Sequence, residues 1–238
     1  MLKDLNILIT GASRGIGNAI AKKISSRANK LFLTSKYSVT IDKAVDELKT
    51  FFDGDIYCFN VDQADSANAA DKFGDWLRKN TDYLDAVILC AGDFVEGKLQ
   101  EVEKDDFIKN MNTNFNFNYY AVNEMIPMLK KSRYPRIVIV GSTAAYDAYS
   151  VPTYSITKWA LRGYAVNLRK ELMGDGIGVT FISPGATLTD MWADVEIPPK
   201  RLLEPDDIAK IVDSLFDLSE QAVVEELIVR PMLGDVDE

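Results

Sequence analysis

Short apolar runs alternate along the chain with stretches of helical periodicity. The runs are 5–10, 30–35, 56–62, 84–92, 136–142, 176–183 and 225–230. Near-continuous apolar runs of this length read as strands covered on both faces. Between them, Ile16, Ile20 and Ile24 repeat at helical spacing, and helices are expected over 39–52, 64–79, 103–131 and 153–173 and after Pro205. Pro205 suits a first helical turn. Strand–helix alternation throughout predicts an α/β fold: a parallel, doubly wound sheet that takes its ligands at the carboxyl ends of the strands. Gly11, Cys90, Ser142 and Pro184 each close an apolar run, so they are expected on one edge. Two irregularities are expected. The run from Met111 to Asn118 is rich in Asn, which competes for backbone hydrogen bonds inside a helix. The stretch 186–204 carries Pro198 and Pro199, and 231–238 reads as an acidic tail.

Composition narrows the chemistry. With 238 residues, 47% of them hydrophobic, the chain can bury the core of a single domain spanning 1–238. It has no histidine, which excludes Ser-His-Asp catalysis and ordinary zinc hydrolases. Acid–base work then falls to Tyr, Lys, Cys or a carboxylate. A net charge of −9 argues against nucleic acid and anionic membranes as partners. No apolar stretch approaches the ~20 residues of a membrane span. With the first strand beginning by Leu5, no signal peptide is expected, and Cys58 and Cys90 make neither a disulfide framework nor a metal motif. A cytoplasmic location is expected.

Gly11, Ser13, Arg14, Gly15, Ile16 and Gly17 lie between the first strand and the first helix. A strand, a Gly-rich turn and a helix make a phosphate cradle, because free N–H groups and the helix dipole face the anion. A tight strand–helix connection is the alternative. The second strand ends at Ser35, followed by Lys36, where a carboxylate would hydrogen-bond a ribose 2′-hydroxyl and a cation would accommodate a 2′-phosphate. Arg14 and Lys36 without an acid favour NADP(H), with NAD(H) as the alternative. Asp62 could accept from an adenine amino group. Tyr154 and Lys158 stand four residues apart in an expected helix and so leave one face. A free phenol is a weak acid at neutral pH, and an ammonium one turn away favours its phenolate. With the Ser142 hydroxyl at a strand end, they suit proton transfer to a carbonyl.

These motifs, in this order, resemble the classical short-chain dehydrogenase/reductase family over nearly the whole chain. The resemblance implies a Rossmann-type seven-stranded sheet, helices on both faces, and a homodimer or homotetramer. It implies a tetrad of Asn114, Ser142, Tyr154 and Lys158. Tyr154 would be the general acid and Ser142 the carbonyl-orienting donor. Lys158 would favour the phenolate and bind the nicotinamide ribose, and Asn114 would hold a water linking Lys158 to solvent. Ala91, Gly92, Pro184, Gly185, Thr187 and Thr189 would complete the cofactor site. Where the family usually has Asn, this chain has Cys90, so weaker bracing of the sheet is expected there. Phe94, Ala144, Tyr146, Tyr149, Leu188 and Trp192 are candidate substrate-pocket walls. The expectation is an NADPH-dependent reductase of a ketone or aldehyde. A carrier-protein-linked 3-oxoacyl reductase and a catalytically silent NADP(H)-binding sensor are the alternatives.

Overall fold

The computed structural model describes residues 2–149, 151–192 and 196–236. Strands β1 (Leu5–Ile9), β2 (Ala28–Ser35), β3 (Asp55–Asn60), β4 (Ala86–Leu89), β5 (Arg136–Val140), β6 (Gly178–Pro184) and β7 (Glu226–Val229) form one seven-stranded sheet. The order is β3-β2-β1-β4-β5-β6-β7, and every neighbouring pair is parallel. The order reverses between β1 and β4, which places the ligand crevice above the ends of those two strands.

Helices cover both faces because side chains alternate along each strand. Leu8, Ile137 and Ile139 turn to one core with α3 (Ser66–Asn80), α5 (Phe117–Leu129) and α6 (Pro152–Leu172). Ile7, Ile9, Val138 and Val140 turn to the other with α1 (Gly15–Ile24), α2 (Ser38–Leu48) and α7 (Pro205–Ser214). The inner strands β1, β4, β5 and β6 are buried on both faces and so read as continuous apolar runs, while β3 and β7 at the edges are partly exposed. Each fully buried Leu or Ile contributes about 1.5–3 kcal/mol by leaving water.

The expected elements are present, with boundaries moved by a few residues. The stretch 103–131 is one continuous helical run with the expected irregularity: α4 (Lys104–Met111) and α5 are joined by a π-helical turn over Asn112–Asn116. Asn side chains explain the extra residue in that turn. Asn112 Nδ2 donates to the Ala64 carbonyl at 2.8 Å and Asn118 Nδ2 to the Asn114 carbonyl at 2.8 Å. The irregular stretch after β6 holds two short 3₁₀ turns, Asp190–Trp192 and Pro199–Arg201.

Candidate active site

The Gly-rich turn leaves β1 and opens α1 in the crevice between β1 and β4. Gly11 has φ 65, and a Cβ there would stand 2.8 Å from Ala91 Cα, so no side chain fits. A Cβ on Gly17 would lie 2.3 Å from the Gly11 carbonyl, so α1 packs directly on the end of β1. Among the described residues no side chain caps α1. The first amides of the helix, at Gly15, Ile16 and Gly17, therefore face the turn without helical partners, which is what a pyrophosphate requires. Ser13 is half-buried beside them. Thr189 reaches the same turn from the far side, its Cγ2 placed 3.1 Å from where a Gly15 Cβ would sit. Thr187 is buried and hydrogen-bonded to the Gly185 carbonyl at 2.9 Å, which folds the chain sharply after Pro184.

At the far end of the crevice Ser35 is buried, its Oγ accepting from the Tyr37 amide at 3.3 Å. No carboxylate takes its place, but carboxylates do hold both neighbouring cations. Lys36 pairs with Asp62 at 3.2 Å and Arg14 with Asp190 at 3.0 Å. The hydrogen bond to Asp62 raises Lys36 above the ordinary lysine value. Burial pushes Asp62 up, but the Ala64 amide and Lys36 outweigh it, and its carboxyl lies below the usual range.

The first turns of α6 are tied to two loops and to the π-helical turn by hydroxyl side chains that the sequence motifs did not single out. Thr153 Oγ1 donates to the Val95 carbonyl at 3.2 Å, and Ser155 Oγ to the carbonyl of Ala144 at 2.8 Å. Thr157 Oγ1 accepts from Asn114 Nδ2 at 2.9 Å. Between these anchors stand half-buried Tyr154 and buried Lys158, with Lys158 Nζ 5.3 Å from the centre of the Tyr154 ring. Lys158 is 3% exposed, and its ammonium has one acceptor among the described residues, the Val140 carbonyl at 3.5 Å. An ammonium carries three donors, and a buried charge is costly without partners. A Cβ on Gly92 would lie 3.4 Å from both Lys158 Nζ and Asn114 Oδ1, so the loop after β4 passes the same ammonium. Ser142 Oγ accepts from the Ala144 amide at 3.1 Å, which leaves its hydrogen free to donate.

Asn114 is 0% exposed and its amide is committed to protein. Oδ1 accepts from the Asp93 amide at 2.8 Å, and Nδ2 donates to the Asp93 carbonyl at 2.7 Å and to Thr157. It therefore clamps the loop after β4 to α6. A hold on solvent would fall to its backbone carbonyl, which accepts from Asn118 and keeps a second lone pair. At Cys90 the sheet is braced from elsewhere: the Cys90 and Ala91 amides donate to Thr10 Oγ1 at 3.0 and 3.2 Å. Cys90 is half-buried against the core, and burial pushes its thiol up to about 12, against the pull of Lys158.

Two expected pocket walls make contacts that the sequence did not indicate. Tyr146 stacks under Arg162 at 4.3 Å and donates its hydroxyl to Glu226 Oε2 at 3.1 Å, toward the start of β7 and away from the carboxyl edge. Ala144 is buried, its amide and carbonyl both spent on the loop beneath Ser142. Phe94 follows β4, Leu188 and Trp192 follow β6, and Tyr149 stands 3.0 Å from Thr143 Oγ1 next to Ser142.

Comparisons with known proteins point to one family. The short chain dehydrogenase family profile matches residues 5–199. Sepiapterin reductase of Chlorobaculum tepidum is 27% identical over 241 residues, covering 97% of each chain. The 3-dehydrosphinganine reductase of Danio rerio is 29% identical over 225 residues, covering 89% of this chain and 68% of its own. A short chain dehydrogenase structure from Burkholderia cenocepacia in complex with NADP superposes with a TM-score of 0.85 at 25% identity, covering 97% of this chain and 98% of that one. Fold, motif order and the matched span together place this chain in the short-chain dehydrogenase/reductase family of oxidoreductases.

Proposed function

We propose that the protein reduces a ketone or aldehyde to an alcohol with NADPH, Tyr154 acting as general acid. The observation that carries this reading is the buried Lys158 ammonium, 5.3 Å from the Tyr154 ring and with one acceptor at 3.5 Å among the described residues. A ribose and a phenolate would supply the acceptors it lacks. NADPH, when bound, supplies the hydride. The uncapped amides of Gly15–Gly17, with Gly11 and Ser13, would hold the pyrophosphate. Ser35, Lys36 and Arg14 would take the 2′-phosphate, and Asp62 the adenine. Ala91, Gly92, Pro184, Gly185, Thr187 and Thr189 would line the nicotinamide end. NAD(H) remains the alternative cofactor. The reductase names of the two relatives, and the NADP in the Burkholderia structure, favour reduction with NADP.

In this reading Ser142 donates to the substrate's carbonyl oxygen. Tyr154 passes its phenolic proton to that oxygen as negative charge develops on it. Lys158 favours the phenolate left behind, and Asn114 keeps helix and loop in place. Phe94, Tyr149, Leu188 and Trp192 would surround the rest of the substrate. A cytoplasmic homodimer or homotetramer is part of the proposal, supported by exposed Tyr119, Tyr120, Trp159 and Val166 on α5 and α6. The test is a panel of ketones and aldehydes followed by NADPH absorbance. Turnover of several of them, faster with NADPH than with NADH, is expected. NADPH that neither binds nor is consumed would contradict the proposal.

A further inference from the structure

The segment after β7 folds back over the site. Arg201 Nη1 donates to the Leu233 carbonyl at 3.1 Å and Nη2 to the Asp235 carbonyl at 3.4 Å. The Asp235 side chain, 13% exposed, is thereby lowered between Gly185 and the 143–149 loop. A Cβ on Gly185 would fall 2.4 Å from Asp235 Oδ1. The Tyr149 hydroxyl donates to Asp235 Oδ2 at 2.6 Å, and the Arg230 guanidinium pairs with that same oxygen. Arg230 is itself held by Asp147 at 2.6 Å. Thr143, 3.0 Å from the same Tyr149 hydroxyl, follows Ser142, and Gly185 follows Pro184, so the carboxylate stands among residues that adjoin two candidate site residues.

We propose that Arg230 and Tyr149 form a carboxylate subsite, that the carbonyl substrate carries a carboxylate, and that Asp235 occupies this subsite until the substrate displaces it. The inference rests on the reductase reading. Three observations carry it. The receiving groups stand on the end of β7 and on the loop after β5, so the subsite is built without the tail. Arg230 Nη2 is spent on Asp147, which leaves Arg230 Nη1 and the Tyr149 hydroxyl as two donors that suit the two oxygens of a carboxylate. Asp235 is also an imperfect occupant, because its Oδ1 is buried without a donor among the described residues, a placement that costs free energy and favours exchange for a ligand satisfied on both oxygens. A tethered competitor acts at millimolar effective concentration, so it raises the KM of an anionic substrate until it leaves.

The test compares 4-carboxybenzaldehyde with its methyl ester as substrates of the wild type and of Arg230→Gln, Arg230→Lys and Asp235→Asn. Calorimetric titration with 4-(hydroxymethyl)benzoate reads the subsite without turnover. Loss of a charged hydrogen-bond partner is worth roughly tenfold or more. The carboxylate-to-ester ratio of kcat/KM should therefore fall about tenfold in Arg230→Gln and partly recover in Arg230→Lys. Asp235→Asn should lower the KM for the carboxylate and tighten hydroxymethylbenzoate binding. An unchanged ratio in Arg230→Gln, or a carboxylate KM that rises in Asp235→Asn, would overturn the subsite and leave the tail as a structural strap. If neither aldehyde is reduced, titration alone decides the subsite: binding weakened in Arg230→Gln and tightened in Asp235→Asn supports it, and equal binding in all variants refutes it. The missing turnover then counts against the reductase reading alone.

Discussion

Lys36 and Asp62 face each other at 3.2 Å with both side chains near half exposure, so solvent screens their attraction to at most about 1 kcal/mol. A phosphate dianion competes easily with that, since charge-assisted hydrogen bonds to it are stronger. Lys36→Ala is therefore expected to weaken NADPH binding roughly 10–100-fold in a fluorescence titration and to leave NADH nearly untouched. Equal loss for both cofactors would place Lys36 away from the 2′-phosphate. Cys90 has the opposite problem, a thiol that burial keeps protonated up to about 12. An unfolded cysteine ionises near 8.5, so between those values the unfolded chain has released a proton that the folded chain retains. Stability must then fall as pH rises through that window. Between pH 7.5 and 10, urea unfolding of the wild type should lose up to about 2 kcal/mol more than Cys90→Ala does. Parallel pH profiles would show that the thiol titrates normally.

The π-helical turn between α4 and α5 is the element on which the site's geometry depends. Its register turns Asn114 inward to hold both the loop after β4 and Thr157 on α6. Replacing Asn114 with Leu removes three hydrogen bonds and leaves the Asp93 amide without a partner, while the Asp93 carbonyl keeps Asn110 Nδ2 at 2.9 Å and the Thr157 hydroxyl keeps the Tyr154 carbonyl at 2.7 Å. The expected cost is about 2–4 kcal/mol in chemical denaturation, with turnover falling alongside. A loss below about 1 kcal/mol would mean that the loop finds water instead. The Asn-rich run announced an irregular stretch. It could not announce a π turn, because the partners of Asn112 and Asn114 lie on α6 and on loops far away in sequence.

At the scale of the whole molecule, what was legible was whatever depends on order along the chain. Apolar runs closed by Gly11, Cys90, Ser142 and Pro184 come to one edge because every strand is parallel. What stayed hidden depends on side-chain direction. Tyr146 and Tyr149 are three residues apart, yet one reaches Glu226 and the other Asp235. Nothing in the spacing marked Thr10 as the brace for Cys90, or the tail as a strap over Gly185. The central claim, that the assembled edge transfers a proton through Tyr154, is tested most directly by steady-state turnover of Tyr154→Phe on a carbonyl substrate that the wild type reduces. The change removes one hydroxyl from a half-buried ring, so folding and NADPH binding should survive. Turnover should fall at least about 10²–10⁴-fold. A Tyr154→Phe enzyme that folds, binds NADPH and turns over at near the wild-type rate would contradict the account.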